Sequence, residues 1–120
     1  MISEEIRAEL LSVGLNTDAM VEKFMDSEDM FRKYYGKFFT AADEVVERLA
    51  SAVSDGDLTQ TERSAHALKG LAGNIGLNGV YDPAKKIVDD LRTGNTEEYR
   101  RDFEVCRKAY ETARKISERI

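Results

Sequence analysis

Apolar residues return every three to four positions along almost the whole chain, and nowhere do β-branched residues alternate with polar ones over a strand's length. Stripes of that period are buried helix against helix, so the fold is expected to be all-α. At 120 residues the chain suffices for one hydrophobic core, and residues 1–120 are read as a single domain. One Pro, one Cys and 8 Gly exclude collagen-like, disulfide-framed and low-complexity classes.

The longest stripe, Phe31, Tyr34 or Tyr35, Phe38, Ala42, Val45, Leu49 and Val53, predicts a bundle helix from about Ser27 to Val53. The cluster Ser54, Asp55, Gly56, Asp57 ends it, and Asp57 or Thr59 can cap the next helix. Thr61, Ala65, Leu68, Ala72 and Ile75 form the stripe of a helix over about 58–77, stopped by Asn78 and Gly79. Asp82 followed by Pro83 reads as the next start, with Ala84, Ile87, Val88 and Leu91 inward and Gly94 as the stop. Asn95 with Glu98 reads as a capping box for a last helix on Tyr99, Phe103, Cys106, Tyr110, Ala113 and Ile116. Ahead of these, Ile2, Ile6, Leu10 and Val13 make a short stripe ending at Gly14. Ala19, Met20 and Phe24 then face inward from a second short helix after Asn16 or Thr17. The expected architecture is an antiparallel up-and-down four-helix bundle with one or two additional N-terminal helices.

With 18 basic against 23 acidic residues the net charge is −5, so no nucleic-acid partner is expected. No apolar run nears the roughly 20 residues that span a bilayer, and the opening MISEEIRAEL mixes charges with aliphatics where a signal peptide needs an apolar core. No membrane partner and a cytoplasmic location are therefore expected. Cys106, lacking a second cysteine and set in an apolar stripe, is read as a small core residue and not as a reactive thiol.

One face breaks the amphipathic pattern. With the buried direction through Thr61, Leu68 and Ala72 set at zero, the only histidine, His66, stands about 140° round the helix, beside Gly70 at about 180°, Gly73 at about 120° and Lys69 at about 80°. A glycine inside a helix costs roughly 0.8–1 kcal/mol relative to alanine, so Gly70, Gly73 and Gly76 require a reason. Close helix packing suits Gly76, near the core edge. For Gly70 and Gly73 the better reading is clearance, which lets another protein surface reach the imidazole. A neutral imidazole nitrogen can attack a phosphoryl group while the other keeps its proton, and Lys69 at i+3 can hold a phosphoryl oxygen. Arg63 at i−3 is an auxiliary candidate, although an ion pair with Glu62 or Asp57 is its plainer role. Asn74 is a weaker candidate still. Leu77, at about 160°, is expected either to touch a docking partner or to pack under the Asn78–Gly79 turn.

The run His66, Ala67, Leu68, Lys69, Gly70, followed by five residues and Gly76, resembles the H-x-L-K-G-x5-G signature of histidine-containing phosphotransfer domains. The aromatic seam before it, the turn at Ser54–Asp57, Arg63 upstream and the helix end at Leu91–Gly94 are similar to that family's frame, over about residues 15–116. Leu77 after Gly76 and the Tyr81, Asp82, Pro83 start depart from it. The resemblance implies a four-helix bundle whose exposed histidine takes a phosphoryl group from a receiver-domain aspartate and passes it to another. It implies His66 as phosphoacceptor, Lys69 as the residue near the phosphate and Gly70 as clearance beneath the ring. Arg63, Gly73, Asn74 and Leu77 are the residues expected on the docking face.

No P-loop, kinase-like Gly-rich loop or Mg²⁺-binding constellation is present in the sequence, so a phosphoryl carrier is expected and not an enzyme. No cofactor is expected, with Mg²⁺ needed only in the partner receiver domain. A di-iron bundle wants Glu-x-x-His, whereas Arg63 stands at i−3 here, so no metal site is expected. The expected partners are response-regulator receiver domains and a hybrid sensor histidine kinase, met by a monomer. The initial Met and the full set of four helices suggest a free-standing domain. The rival reading is a non-catalytic scaffold that binds a receiver or another helical partner without carrying phosphate. The combination of His66, Lys69 and Gly70 favours transfer, because a scaffold has no use for it.

Overall fold

The computed structural model describes all 120 residues, most of them in six helices. α1 (Glu4–Ser12) starts where the Ser3 side chain accepts from the Ile6 N–H, and the chain turns at Gly14, whose φ of +80° favours glycine. α2 (Thr17–Lys23) starts on Asn16, which accepts from the Ala19 N–H. Thr17 and Met20 are buried, but Ala19, expected inward, is exposed, because so short a helix buries only one narrow stripe. α3 (Glu28–Asp55) is capped by Ser27 and stops at Gly56 in the left-handed conformation. α4 (Leu58–Asn74) takes Asp57 as its cap, with Oδ1 accepting from the Gln60 N–H at 3.1 Å. Its stripe of Thr61, Ala65, Leu68, Ala72 and Ile75 is buried as expected.

The next boundary differs from the sequence expectation. α4 stops at Asn74, and α5 (Asn78–Arg92) already includes Asn78, Gly79 and Pro83. The turn is Ile75–Leu77, where Gly76 adopts φ +68° and the Leu77 N–H returns to the Ala72 carbonyl at 3.0 Å. Gly76 is thus a left-handed stop and not an interior helix residue. Asn78 and Gly79, expected as breakers, form the first turn of α5, where backbone N–H groups lack intrahelical partners anyway. Pro83 lies in the second turn and only withdraws the donor that the Gly79 carbonyl would otherwise receive. α6 (Tyr99–Ser117) follows without the expected capping box. Asn95 instead accepts from the Glu97 N–H at 3.1 Å, and the Glu98 carboxylate is drawn to Lys86 at 2.7 Å.

α3 to α6 form an antiparallel up-and-down bundle, with α1 against α6 and α2 against α3. At 1.5 Å per residue α3 is about 42 Å long and sets the 44 Å axis of a body 22 × 21 Å across. Phe31, Tyr35, Phe39, Phe38 and Tyr110 form a chain of rings between α3 and α6, with centroids 4.9 to 6.0 Å apart. Tyr35 Oη donates to the Ala113 carbonyl at 2.6 Å. Arg114 grips both oxygens of Asp43 at 3.1 and 3.2 Å, where Tyr110 also donates, so α6 closes the ring on α3. No helix is long and apolar enough to cross a membrane.

The N-terminal helices are joined to the α4–α5 turn through backbone. The Gly79 N–H donates to the Val13 carbonyl at 2.8 Å, and a Cβ at Gly79 would lie 2.5 Å from that oxygen. Gly36, in the middle of α3, has nothing within 4 Å of the same position. Gly79→Ala is therefore expected to destabilise the fold by about 2 kcal/mol or more, and Gly36→Ala to stabilise it by about 0.8–1 kcal/mol. Urea unfolding of the two variants beside the wild type measures both signs.

Candidate functional site

His66 stands midway along α4 on its exposed side, and it lines none of the surface concavities. A reactant must arrive on a surface of its own, because nothing here encloses a small molecule. Helical side chains lean toward the N-terminal turn, so a surface spot is covered by residues further along the helix. For His66 these are Lys69 and Gly70. Lys69 is half-buried, while Gly70 is exposed and a Cβ there would meet nothing within 4 Å. The missing side chain at Gly70 is what uncovers the imidazole.

The other glycines answer different constraints. A Cβ at Gly73 would sit 3.3 and 3.4 Å from the Tyr81 ring of α5, so this glycine serves helix packing and not the clearance expected of it. At Gly76 it would lie 2.5 Å from Met20 Sδ, in addition to the positive φ. Leu77, offered either as a docking contact or as packing under the turn, has 0% exposure and belongs to the core, because the turn into α5 begins three residues earlier than expected and carries it inward. Asn74 is exposed on the rim of a groove of about 170 Å³ between α3 and α4, with Tyr34, Lys37, Phe38, Ala41 and Leu71. The sequence reading missed this groove. Its signal was Tyr34, read with Tyr35 as part of the buried stripe, of which only Tyr35 is buried while Tyr34 is exposed.

Arg63 is exposed, and neither ion pair expected of it forms. Asp57 caps α4, and Glu62 accepts from Arg92 Nε of α5 at 2.7 Å. Further along α5, Lys85 Nζ binds Asp89 at 2.7 Å. That bond first, and then the charges of Lys85, Lys69 and Arg92, hold the Asp89 carboxyl below the usual carboxylate range against the opposing effect of desolvation. Glu62 and Asp89 are thus bound by α5 cations, while Arg63 and Lys69 of α4 form no ion pair, in a chain of net charge −5. The pairing of Glu62 with Arg92 was missing from the sequence reading. It becomes readable once the turn is placed at Ile75–Leu77, since two antiparallel helices then pair outward from it.

Elsewhere, Asp90, Glu98 and Asp102 bring carboxylate oxygens within 4.8 Å of one another. Lys86 Nζ donates to all three at 2.7 to 3.0 Å, so an ammonium already occupies the centre of the cluster. Cys106 is buried, and burial pushes its thiol up to about 12.

A model of the Hpt domain family matches residues 33–116, which run from the first turns of α3 almost to the end of α6. The chain belongs to the Hpt domain family. Comparison with the curated proteins and with the solved structures gave no match. Hpt domains carry phosphoryl groups in two-component phosphorelays, where they meet receiver domains and kinases. The matched residues include His66, Lys69 and Gly70 and exclude α1 and α2, so the two N-terminal helices are additions to the Hpt bundle.

The open space above Gly70 and the Tyr81 ring beside Gly73 predict different outcomes for one chemical change. Gly70→Ala should raise stability by about 0.8–1 kcal/mol, and Gly73→Ala should gain clearly less, because the ring must give way. Denaturant midpoints of the two variants test this. Cys106 should resist a chromogenic disulfide reagent at pH 8 in the folded chain and react at once in urea.

Proposed function

We propose that the chain is a phosphoryl carrier of a multistep phosphorelay, taking a phosphoryl group on His66 from a receiver-domain aspartate and giving it to another receiver. The observation that carries this reading is an imidazole on the outer face of α4, uncovered by Gly70, between two cations that form no ion pair. A neutral imidazole nitrogen supplies its lone pair to phosphorus, the N–P bond forms, and the P–O bond to the aspartyl carboxylate breaks. The second nitrogen keeps its proton during the attack. Lys69 holds a phosphoryl oxygen and offsets the charge that arrives. The reverse step regenerates the neutral ring.

Arg63 and Asn74 belong to the docking face in this reading, and Gly73 supports it from below through Tyr81. Leu77 does not take part. The chain acts as one unit and as a monomer in the cytoplasm, with no ATP site or cofactor of its own, and Mg²⁺ belongs to the receiver. A hybrid sensor kinase feeds the relay. Affinity for each receiver is modest, because a shuttle must release its partner after transfer.

Pre-phosphorylated receiver domains mixed with the purified chain should yield an acid-labile, alkali-stable phosphate on the wild type and none on His66→Gln. Gly70→Leu should fold normally by circular dichroism and accept phosphate at least about tenfold more slowly, since a side chain placed there covers the ring. Receivers that bind the chain in a calorimetric titration yet never transfer to it would replace the carrier reading with that of a scaffold.

A further inference from the structure

We propose that Arg92 is a positioning residue for phosphoryl transfer, holding and neutralising a carboxylate, that of Glu62, which otherwise faces the phosphoryl group on His66. The inference rests on the carrier reading above. Glu62 precedes His66 by one helical turn, at a spacing where Cβ atoms lie about 5–6 Å apart. Because helical side chains lean toward the N-terminus, the His66 ring is directed over the turn that carries Glu62. The Glu62 side chain is only 30% exposed, so its charge is less screened than that of a fully solvated acid. A phosphoryl group arriving at His66 brings negative charge toward it.

Arg92 answers this charge from the last turn of α5, 30 residues away in sequence, with Nε donating to Glu62 Oε1 at 2.7 Å. The register that sets Gly73 against the Tyr81 ring at 3.3 Å also brings Arg92 opposite Glu62. The cations of α4 are not used for this purpose. Arg63 adjoins Glu62 in the chain yet does not pair with it, and Lys69 forms no ion pair. On the same flank Asp89 is bound by Lys85. Glu62 and Asp89 are thus both held by α5 cations, which leaves Arg63 and Lys69 of α4 without an ion pair. Without Arg92, the Glu62 carboxylate repels the incoming group and competes for Arg63. Arg92 itself touches neither the imidazole nor the phosphoryl group.

The test is the rate of transfer from one phosphorylated receiver to four chains: wild type, Arg92→Ala, Glu62→Gln and the double variant. Arg92→Ala should slow transfer about tenfold, the size expected for a like charge at this range in a partly shielded setting. Glu62→Gln should match or exceed the wild type. The double variant should return to within about twofold of it, since the two changes act through one interaction. Added salt should narrow the gap between Arg92→Ala and wild type. A strap lost with Arg92 is not rebuilt by discharging Glu62, so a double variant as slow as Arg92→Ala overturns the proposal, as does a wild-type rate in Arg92→Ala. A wild-type chain that takes no phosphate from receivers it binds refutes the carrier reading instead.

Discussion

The register between α4 and α5 decides where every group around His66 stands. A turn of only three residues, Ile75–Leu77, joins the two helices, so their residues pair outward from it: Gly73 with Tyr81 near the turn, Glu62 with Arg92 at the far end. So short a turn needs the left-handed backbone that Gly76 supplies. It is then clamped from outside, where the Gly79 N–H meets the Val13 carbonyl. A helix shifted by one residue turns by about 100°, enough to carry His66 from the open face toward a neighbouring helix. The additional helices α1 and α2, outside the family match, thus bear on the geometry of the matched face through this clamp.

That face combines exposure with a local charge opposite to the rest of the chain. Lys86 binds Asp90, Glu98 and Asp102, and Arg114 binds Asp43, so these acids are held by cations of their own surroundings. On α4 the pairing runs outward to α5 and leaves Arg63 and Lys69 free. For a group that must both receive and surrender a phosphoryl, an open setting has a physical advantage. An exposed Arg63 and a half-buried Lys69 attract an anion without enclosing it, and screening by water keeps the attraction weak enough to be reversed. A buried site with the same charges would hold the product too firmly for a shuttle.

Much of this was legible before any coordinates. Long stripes of period 3.6 located α3, α4 and α6, because a buried seam of five or more residues leaves no alternative burial pattern. Capping chemistry located Asp57 and Gly56. His66, Lys69 and Gly70 were legible as a group because their spacing alone places them together on one helix. The α4–α5 boundary was not, since Gly76, Asn78, Gly79 and Pro83 are all plausible breakers and local propensity cannot rank them. Tertiary contacts made the choice: Gly79 is needed where Val13 approaches, which pulls Asn78 and Gly79 into a helix and turns Leu77 inward. Arg92 escaped notice for the same reason, being a partner of Glu62 only through that turn.

Four glycines of this chain help to separate a structural vacancy from a functional one. Gly76 is required by its φ and by Met20, and Gly73 by the Tyr81 ring, so each is explained within the molecule. Gly70 and Gly36 both face open space inside helices, and neither is needed for any contact the fold makes. An unfilled position alone does not mark a site, as Gly36 demonstrates: one turn before it stands Arg32, which pairs with Asp29 and offers no nucleophile. One turn before Gly70 stands the only imidazole of the chain. The same vacancy therefore has different consequences, and it is the side chain it uncovers, together with the unpaired cations alongside, that makes the surface around Gly70 the one fitted for contact with a partner.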